Sequence, residues 1–116
     1  MIRGMHAMFY SREADALRDF FRDKLDLVGV DVGGGWLIFD ACESNLGVHP
    51  TEGEKPASGT AQISFYCDDL PKTVDELTRR GVEFTHGMED HGYGLVTFFK
   101  APGDLTIQLF QPRYGS

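Results

Sequence analysis

The chain carries a faint duplication with a period of 56 residues. Shifted by that amount, His6-Ala7-Met8-Phe9-Tyr10 lies on Gln62-Ile63-Ser64-Phe65-Tyr66, so that Phe9-Tyr10 meets Phe65-Tyr66. Asp19 falls on Asp75 and Phe21 on Leu77. The identities are few; the order of patterns repeats more clearly. Recurrence at a fixed spacing is the mark of one supersecondary unit used twice.

Each half opens with a short apolar and aromatic strand pattern, at 5–10 and 61–67. A helical pattern follows. Ala14, Leu17, Phe20, Phe21 and Leu25 recur at helical spacing, with charged residues between them and Ser11 placed as an N-cap. In the second half Leu70, Val74 and Leu77 form the stripe. Asp68 or Asp69 is placed to cap it, Pro71 sits in its first turn and Gly81 is placed to end it. Strand patterns then cover 27–32, 36–40 and 45–49, and in the second half 82–85, 94–100 and 105–111. Gly33-Gly34-Gly35 reads as a hairpin turn, since it lacks the Lys-Ser/Thr of a phosphate loop. The expected class is α+β: two tandem βαβββ modules forming cupped mixed sheets with helices on the outside. The first module spans 1–52, the linker 53–59 and the second module 60–116, together one compact domain.

The totals narrow the function. Eighteen acidic against 11 basic residues give a net charge of −7, which repels phosphate backbones and argues against nucleic acid. No apolar run approaches the roughly 20 residues of a membrane span, and residues 1–6 have no signal-peptide character, so the expected location is cytoplasmic. Cys42 and Cys67 are too few for a disulfide framework.

Strand side chains alternate between faces, so parity sorts them. Ile63, Phe65 and Cys67 belong to a packing face, and Gln62, Ser64 and Tyr66 to its opposite, a cup. On the last strand Ile107 and Leu109 pack while Thr106, Gln108 and Phe110 face the cup. His6, Met8 and Tyr10 share one face of the first strand, and His49 shares one with Gly47. Met8, Tyr10, Ser64, Tyr66, Thr106 and Phe110 are therefore the candidate ligand-binding residues. His6, His49, Gln62 and Gln108 are polar groups able to hold a metal or to hydrogen-bond a ligand. Each has an ordinary alternative: a strand-end histidine for His6, a solvated loop histidine for His49, wall residues for the glutamines. His86 and His91 read as solvated, and Glu89-Asp90 as a turn. Neither Cys67 nor Ser64 has an identifiable base beside it.

The chain resembles the vicinal-oxygen-chelate superfamily of glyoxalases, bleomycin-resistance proteins and extradiol dioxygenases. The resemblance rests on Gln62–Leu70 as the first strand and helix start, Arg80-Gly81-Val82-Glu83-Phe84 as the helix-to-strand junction, and Ala101-Pro102-Gly103-Asp104 through Gln108-Leu109 as the last hairpin. It implies a divalent metal (Zn, Ni, Fe or Mn) at His6, His49, Gln62 and Gln108. Gln108 stands where such proteins carry Glu, and a dication gains no charge neutralisation from an amide. Two functions follow from the resemblance. One is binding and sequestration of a drug or metabolite in the cup. The other is a metal-dependent lyase, isomerase, transferase or dioxygenase acting on paired oxygens. A bland third option is a structural or regulatory dimer with an empty cup. A homodimer is expected, because cupped sheets leave edges that pairing covers.

Overall fold

The computed structural model describes residues 7–34, 37–40, 43–44, 57–58, 60–92 and 94–113. The chain divides into two compact units, one of Met1–Leu27 with Ile63–Ser116 and one of Val28–Gln62.

In the first unit, helix α1 runs Ala14–Asp23. Leu17 and Phe21 are its buried residues, while Arg18 pairs with Asp15 and Arg22 with Asp19 one turn apart. Glu13 occupies the N-cap position, and no side chain caps the helix. Ser11 lies too far upstream for the capping role expected of it. Its hydroxyl accepts from the Glu13 N–H at 3.1 Å and donates to the Pro102 carbonyl at 3.0 Å, tying the approach of α1 to a distant hairpin. Ala14, expected on the buried stripe, is exposed, and Leu25 lies beyond the helix end.

Helix α2 runs Leu70–Arg79, and Asp69 caps it by accepting from the Lys72 N–H at 3.1 Å. It ends in a Schellman turn. Gly81 adopts φ +90, its N–H reaches the Thr78 carbonyl, and the Val82 N–H reaches the Leu77 carbonyl, both at 3.0 Å. Val82 and Leu77 are both buried, the apolar contact pair that accompanies this motif.

The two helices are each 10 residues long and start 56 residues apart, the period read from the sequence. Their C-caps, Lys24 and Arg80, contact each other reciprocally. Lys24 Nζ donates to the Arg80 carbonyl at 2.6 Å, and Arg80 Nη1 donates to the Lys24 carbonyl at 3.0 Å. Such an exchange between equivalent positions is what a local two-fold relation between copies produces. Arg80 also bonds Asp26 at 2.8 Å and Glu76 at 3.0 Å. Each cationic head meets the negative end of the other helix. Arg80→Ala is expected to lower folding stability by about 1–2 kcal/mol, the scale of charge-assisted bonds to partly buried carbonyls. Urea unfolding checks this; an unchanged midpoint would show that the junction is incidental.

The sheet of this unit has four strands: β3 (Ser64–Tyr66), β4 (Glu89–Asp90), β5 (Gly94–Ala101) and β6 (Leu105–Pro112), in the order β3-β6-β5-β4. β3 runs parallel to β6, and the other pairs are antiparallel. With α2 after β3, this is a βαβββ module. Phe65, Thr97, Phe99, Ile107 and Leu109 share the face under α1. Phe20 stacks on Phe99 at 6.0 Å, and Phe21 meets Phe65 edge-on at 6.0 Å and Phe9 at 5.5 Å. Phe99, with no exposed surface, is the centre of this core.

The second unit holds a hairpin of β1 (Val28–Asp31) and β2 (Leu37–Asp40), which pair antiparallel. Gly33 and Gly34 in the connection both have positive φ, a region that glycine enters without strain. The fold is thus α+β, with two sheets and two helices among the described residues.

Several strand boundaries differ from expectation. Residues 7–10 form no strand, and the pattern at 61–67 shortens to Ser64–Tyr66. The pattern at 82–85 makes a single bridge, Phe84 to Phe99, so no regular strand forms there. Glu89-Asp90, expected as a turn, pairs with Val96 and Leu95 instead, because β5 offers an open edge. The strand expected at 45–49 lies outside the described residues.

Asp90 anchors that edge. Its carboxyl is pushed down to about 2, first by the hydrogen bonds of Arg113 and then by the Gly92 N–H. The fold therefore favours the charged form. The contribution to stability is complete above the ordinary value of 3.8 and is lost as pH falls from there through about 2. Carbon-detected NMR titration should place the Asp90 midpoint near 2, and Arg113→Ala should raise it toward the ordinary value. An ordinary midpoint in the wild type would contradict the pairing.

Candidate functional site

The register of the four-stranded sheet sorts its other face into transverse rows. Ser64 pairs with Gln108, and Gln108 with Phe98. Tyr66 pairs with Phe110, and Phe110 with Val96. Thr106 pairs with Lys100. Paired residues point to the same side, so these side chains form one surface opposite the helices. The parity read from the sequence placed Ser64, Tyr66, Thr106, Gln108 and Phe110 together on this face, and the register agrees.

The centre of the surface is polar and closely held. Ser64 Oγ donates to Gln108 Oε1 at 3.2 Å, and Gln108 is only 7% exposed. Aromatic groups flank the pair. Tyr66 and Phe110 sit 6.1 Å apart, and the His86 ring packs on Phe98 at 5.0 Å. His86 is exposed, as expected, and its ring also extends the row Ser64–Gln108–Phe98, because Thr85 bonds its N–H to the Phe98 carbonyl at 2.9 Å and brings the next residue onto that ring. His86 Nδ1 lies 2.6 Å from Thr85 Oγ1. His91 Nε2 lies 3.1 Å from Glu89 Oε2 and is exposed, as expected of a solvated turn. At the outer row Lys100 Nζ lies 3.5 Å from Glu83 Oε1, beside exposed Thr106. Lys100 and Phe98 also lie on this face, which parity alone did not single out; their pairing with Thr106 and Gln108 was the missing signal.

The other candidates are placed as follows. Met8 and Tyr10 are exposed in the first unit, Tyr10 at 86%. Gln62 is exposed and belongs to the second unit. His6 and His49 lie outside the described residues.

The chemistry at the centre of the floor is that of neutral hydrogen bonding against aromatic surface, with the Lys100–Glu83 pair at its outer row. Cys67 is half-buried on the other face, and burial pushes its thiol up, which leaves little thiolate for nucleophilic work. The Gln108 amide oxygen already accepts a hydroxyl, and an amide brings no charge to a dication. The donors seen here do not fit a divalent metal. Among the described residues no group of three or more His, Cys, Asp or Glu is placed to hold one.

The chain belongs to the Glyoxalase/Bleomycin resistance protein/Dioxygenase superfamily, whose model matches residues 5–109. No curated protein matches it. Among solved structures it is similar to TnmS3, an antibiotic binding protein from Streptomyces sp. CB03234 (20% identity, TM-score 0.66, covering 97% of this chain and 98% of that one). It is also similar to a lactoylglutathione lyase from Agrobacterium tumefaciens (19%, TM-score 0.62, 93% and 92%). A third is a superfamily member from Sphaerobacter thermophilus DSM 20745 (23%, TM-score 0.63, 94% and 97%). At such identities the likeness establishes the fold, which hosts many chemistries. No helix among the described residues is long and apolar enough to cross a membrane.

Proposed function

We propose that the protein binds a small molecule in its cupped sheet and sequesters it, as a drug- or metabolite-binding member of the superfamily. The observation that carries this reading is the buried Gln108 amide held by Ser64 between aromatic rings. Such a floor orients a ligand by neutral hydrogen bonds and apolar contact. At its centre the described groups are an amide and a hydroxyl, which bring no charge to a metal. The structural similarity to an antibiotic binding protein is consistent with it. In the same reading, residues 1–52 and 60–116 are successive modules joined through 53–59, and the protein works as a cytoplasmic homodimer. The alternative, a metal-dependent lyase, isomerase, transferase or dioxygenase, would draw on His6 and His49.

Equilibrium dialysis of the purified protein against a panel of antibiotics, with mass spectrometry of what is retained, tests the proposal. Retention of a compound recovered chemically unchanged, lost in Ser64→Ala, is the expected result. Recovery of a converted product would overturn sequestration in favour of an enzyme.

A further inference from the structure

The segment after α2 meets β5 twice, in two different registers. Thr85 bonds its N–H to the Phe98 carbonyl, Phe84 bridges Phe99, and the Lys100 N–H reaches the Glu83 carbonyl. Glu83, Phe84 and Thr85 therefore stand opposite Lys100, Phe99 and Phe98. Glu89 and Asp90 stand opposite Val96 and Leu95. That leaves His86, Gly87 and Met88 to share a single position of β5, Thr97. Extra residues on one strand make a bulge, which re-aims the side chains it carries.

The side chain re-aimed here is His86. Thr85 stands opposite Phe98 and so belongs to the floor; by plain alternation His86 would take the other face, with Thr97. Instead the hydroxyl of buried Thr97 donates to the His86 carbonyl at 2.8 Å, and the imidazole lies against Phe98 at 5.0 Å. Its Nδ1 is 2.6 Å from Thr85 Oγ1. An exposed histidine is thus held by its backbone, its ring face and one ring nitrogen, while no described residue bonds its Nε2. A polar group ordered before a ligand arrives lowers the entropy cost of binding.

At the far end of the same row the Ser64 hydroxyl donates to Gln108 and keeps its lone pairs as acceptors. A carbonyl or carboxylate cannot donate to it; a ligand hydroxyl can. Three inter-strand steps separate Ser64 from Thr85, about 14 Å at the usual spacing. Two hydrogen bonds of ordinary length leave about 8 Å between the ligand atoms that make them. The Phe98 ring and the Gln108 amide lie in between. We propose that His86 is a ligand-binding residue of the floor and that its ligand is a flat aromatic molecule with a hydroxyl at each end. One hydroxyl donates to Ser64 Oγ, the other bonds His86 Nε2, and the ring body covers Phe98. A hydroxyl both donates and accepts, so it suits either imidazole tautomer. This rests on the reading of the floor as a small-molecule site, and it assigns the ligand class.

Fluorescence titration with naphthalene-2,6-diol tests it, beside naphthalene-2,3-diol, which has both hydroxyls at one end, and 2-naphthol, which has one. EDTA in the buffer keeps metal chelation by the vicinal pair out of the comparison. The 2,6-diol should bind about five- to tenfold tighter than either control, the gain from one added hydrogen bond. His86→Phe keeps an aromatic ring against Phe98 and removes the nitrogen. It should bring the 2,6-diol down to the level of 2-naphthol on the same variant, and Ser64→Ala should do likewise. Circular dichroism should show both variants folded, since His86 is exposed and Ser64 loses only a hydroxyl.

Equal affinity of the wild type for the two diols, or a preference for the 2,6-diol that survives in His86→Phe, would overturn the inference. Absence of binding by all three probes would overturn it too; a different compound retained in the dialysis experiment would then keep the floor as a small-molecule site. A compound recovered converted from dialysis would strike sequestration alone, because diol binding does not depend on whether a ligand is changed.

Discussion

Phe99→Ala is expected to cost about 3–5 kcal/mol of folding stability, the range for truncating a fully buried aromatic residue. Phe99 has no exposed surface, stacks on Phe20 at 6.0 Å and meets Phe84 edge-on at 5.9 Å. It sits on β5, which pairs with β6 along its whole length, so the void would open at the junction of helix, sheet and the Phe84 bridge. A domain of this size holds only about 5–15 kcal/mol in total. The variant should therefore be close to unfolded at physiological temperature. Urea unfolding followed by far-ultraviolet circular dichroism measures the loss. A cost under about 1 kcal/mol, the level of an ordinary surface change, would mean that the core is not organised around β5. Tyr10→Ala, at the exposed end of the first segment, is the matched control and should change little.

The second large effect concerns charge. Gln108→Glu replaces the neutral amide by a carboxylate in a site that is 7% exposed. Ser64 can still donate to it, but burying a carboxylate where a neutral amide stands is costly, so the variant should lose about 1–3 kcal/mol of stability in the absence of metal. The same carboxylate should raise zinc affinity by about 1–3 kcal/mol, roughly 5- to 150-fold, because a dication then meets an anionic oxygen. Zinc should in turn restore part of the lost stability, since a ligand that binds only the folded state stabilises it. Thermal unfolding with and without zinc, for wild type and variant, reads both effects. A variant as stable as wild type that gains nothing from zinc would show that position 108 is not poised toward a cation.

The sequence was most informative where local chemistry and long-range packing agree. The 56-residue period is visible in the matched helices and in the reciprocal contact of Lys24 with Arg80. Parity sorted β6 and β3 because each residue there is fixed by one alternating ladder, so Ser64 and Gln108 were both legible as cup-face residues, while their pairing came only with the register. What stayed hidden depends on a partner strand. Glu89-Asp90 has poor strand propensity and pairs only because β5 presents an open edge. His86 reaches Phe98 through a bond made by its neighbour Thr85 to β5, a contact that no local pattern encodes. Ser11 satisfies both a helix approach and a hairpin 91 residues away, so its local signal as a cap was misleading. The exposed valines of β1 were read simply as a strand, since exposure is decided by what does or does not pack on them.

Calorimetric titration of zinc and nickel into the untagged wild-type protein tests the central claim, a neutral ligand-binding floor in place of a metal centre, most directly. The expected result is no saturable binding at micromolar protein, with binding appearing in Gln108→Glu. Tight, stoichiometric binding by the wild type that His6→Ala abolishes would contradict the account and favour a metal-dependent enzyme.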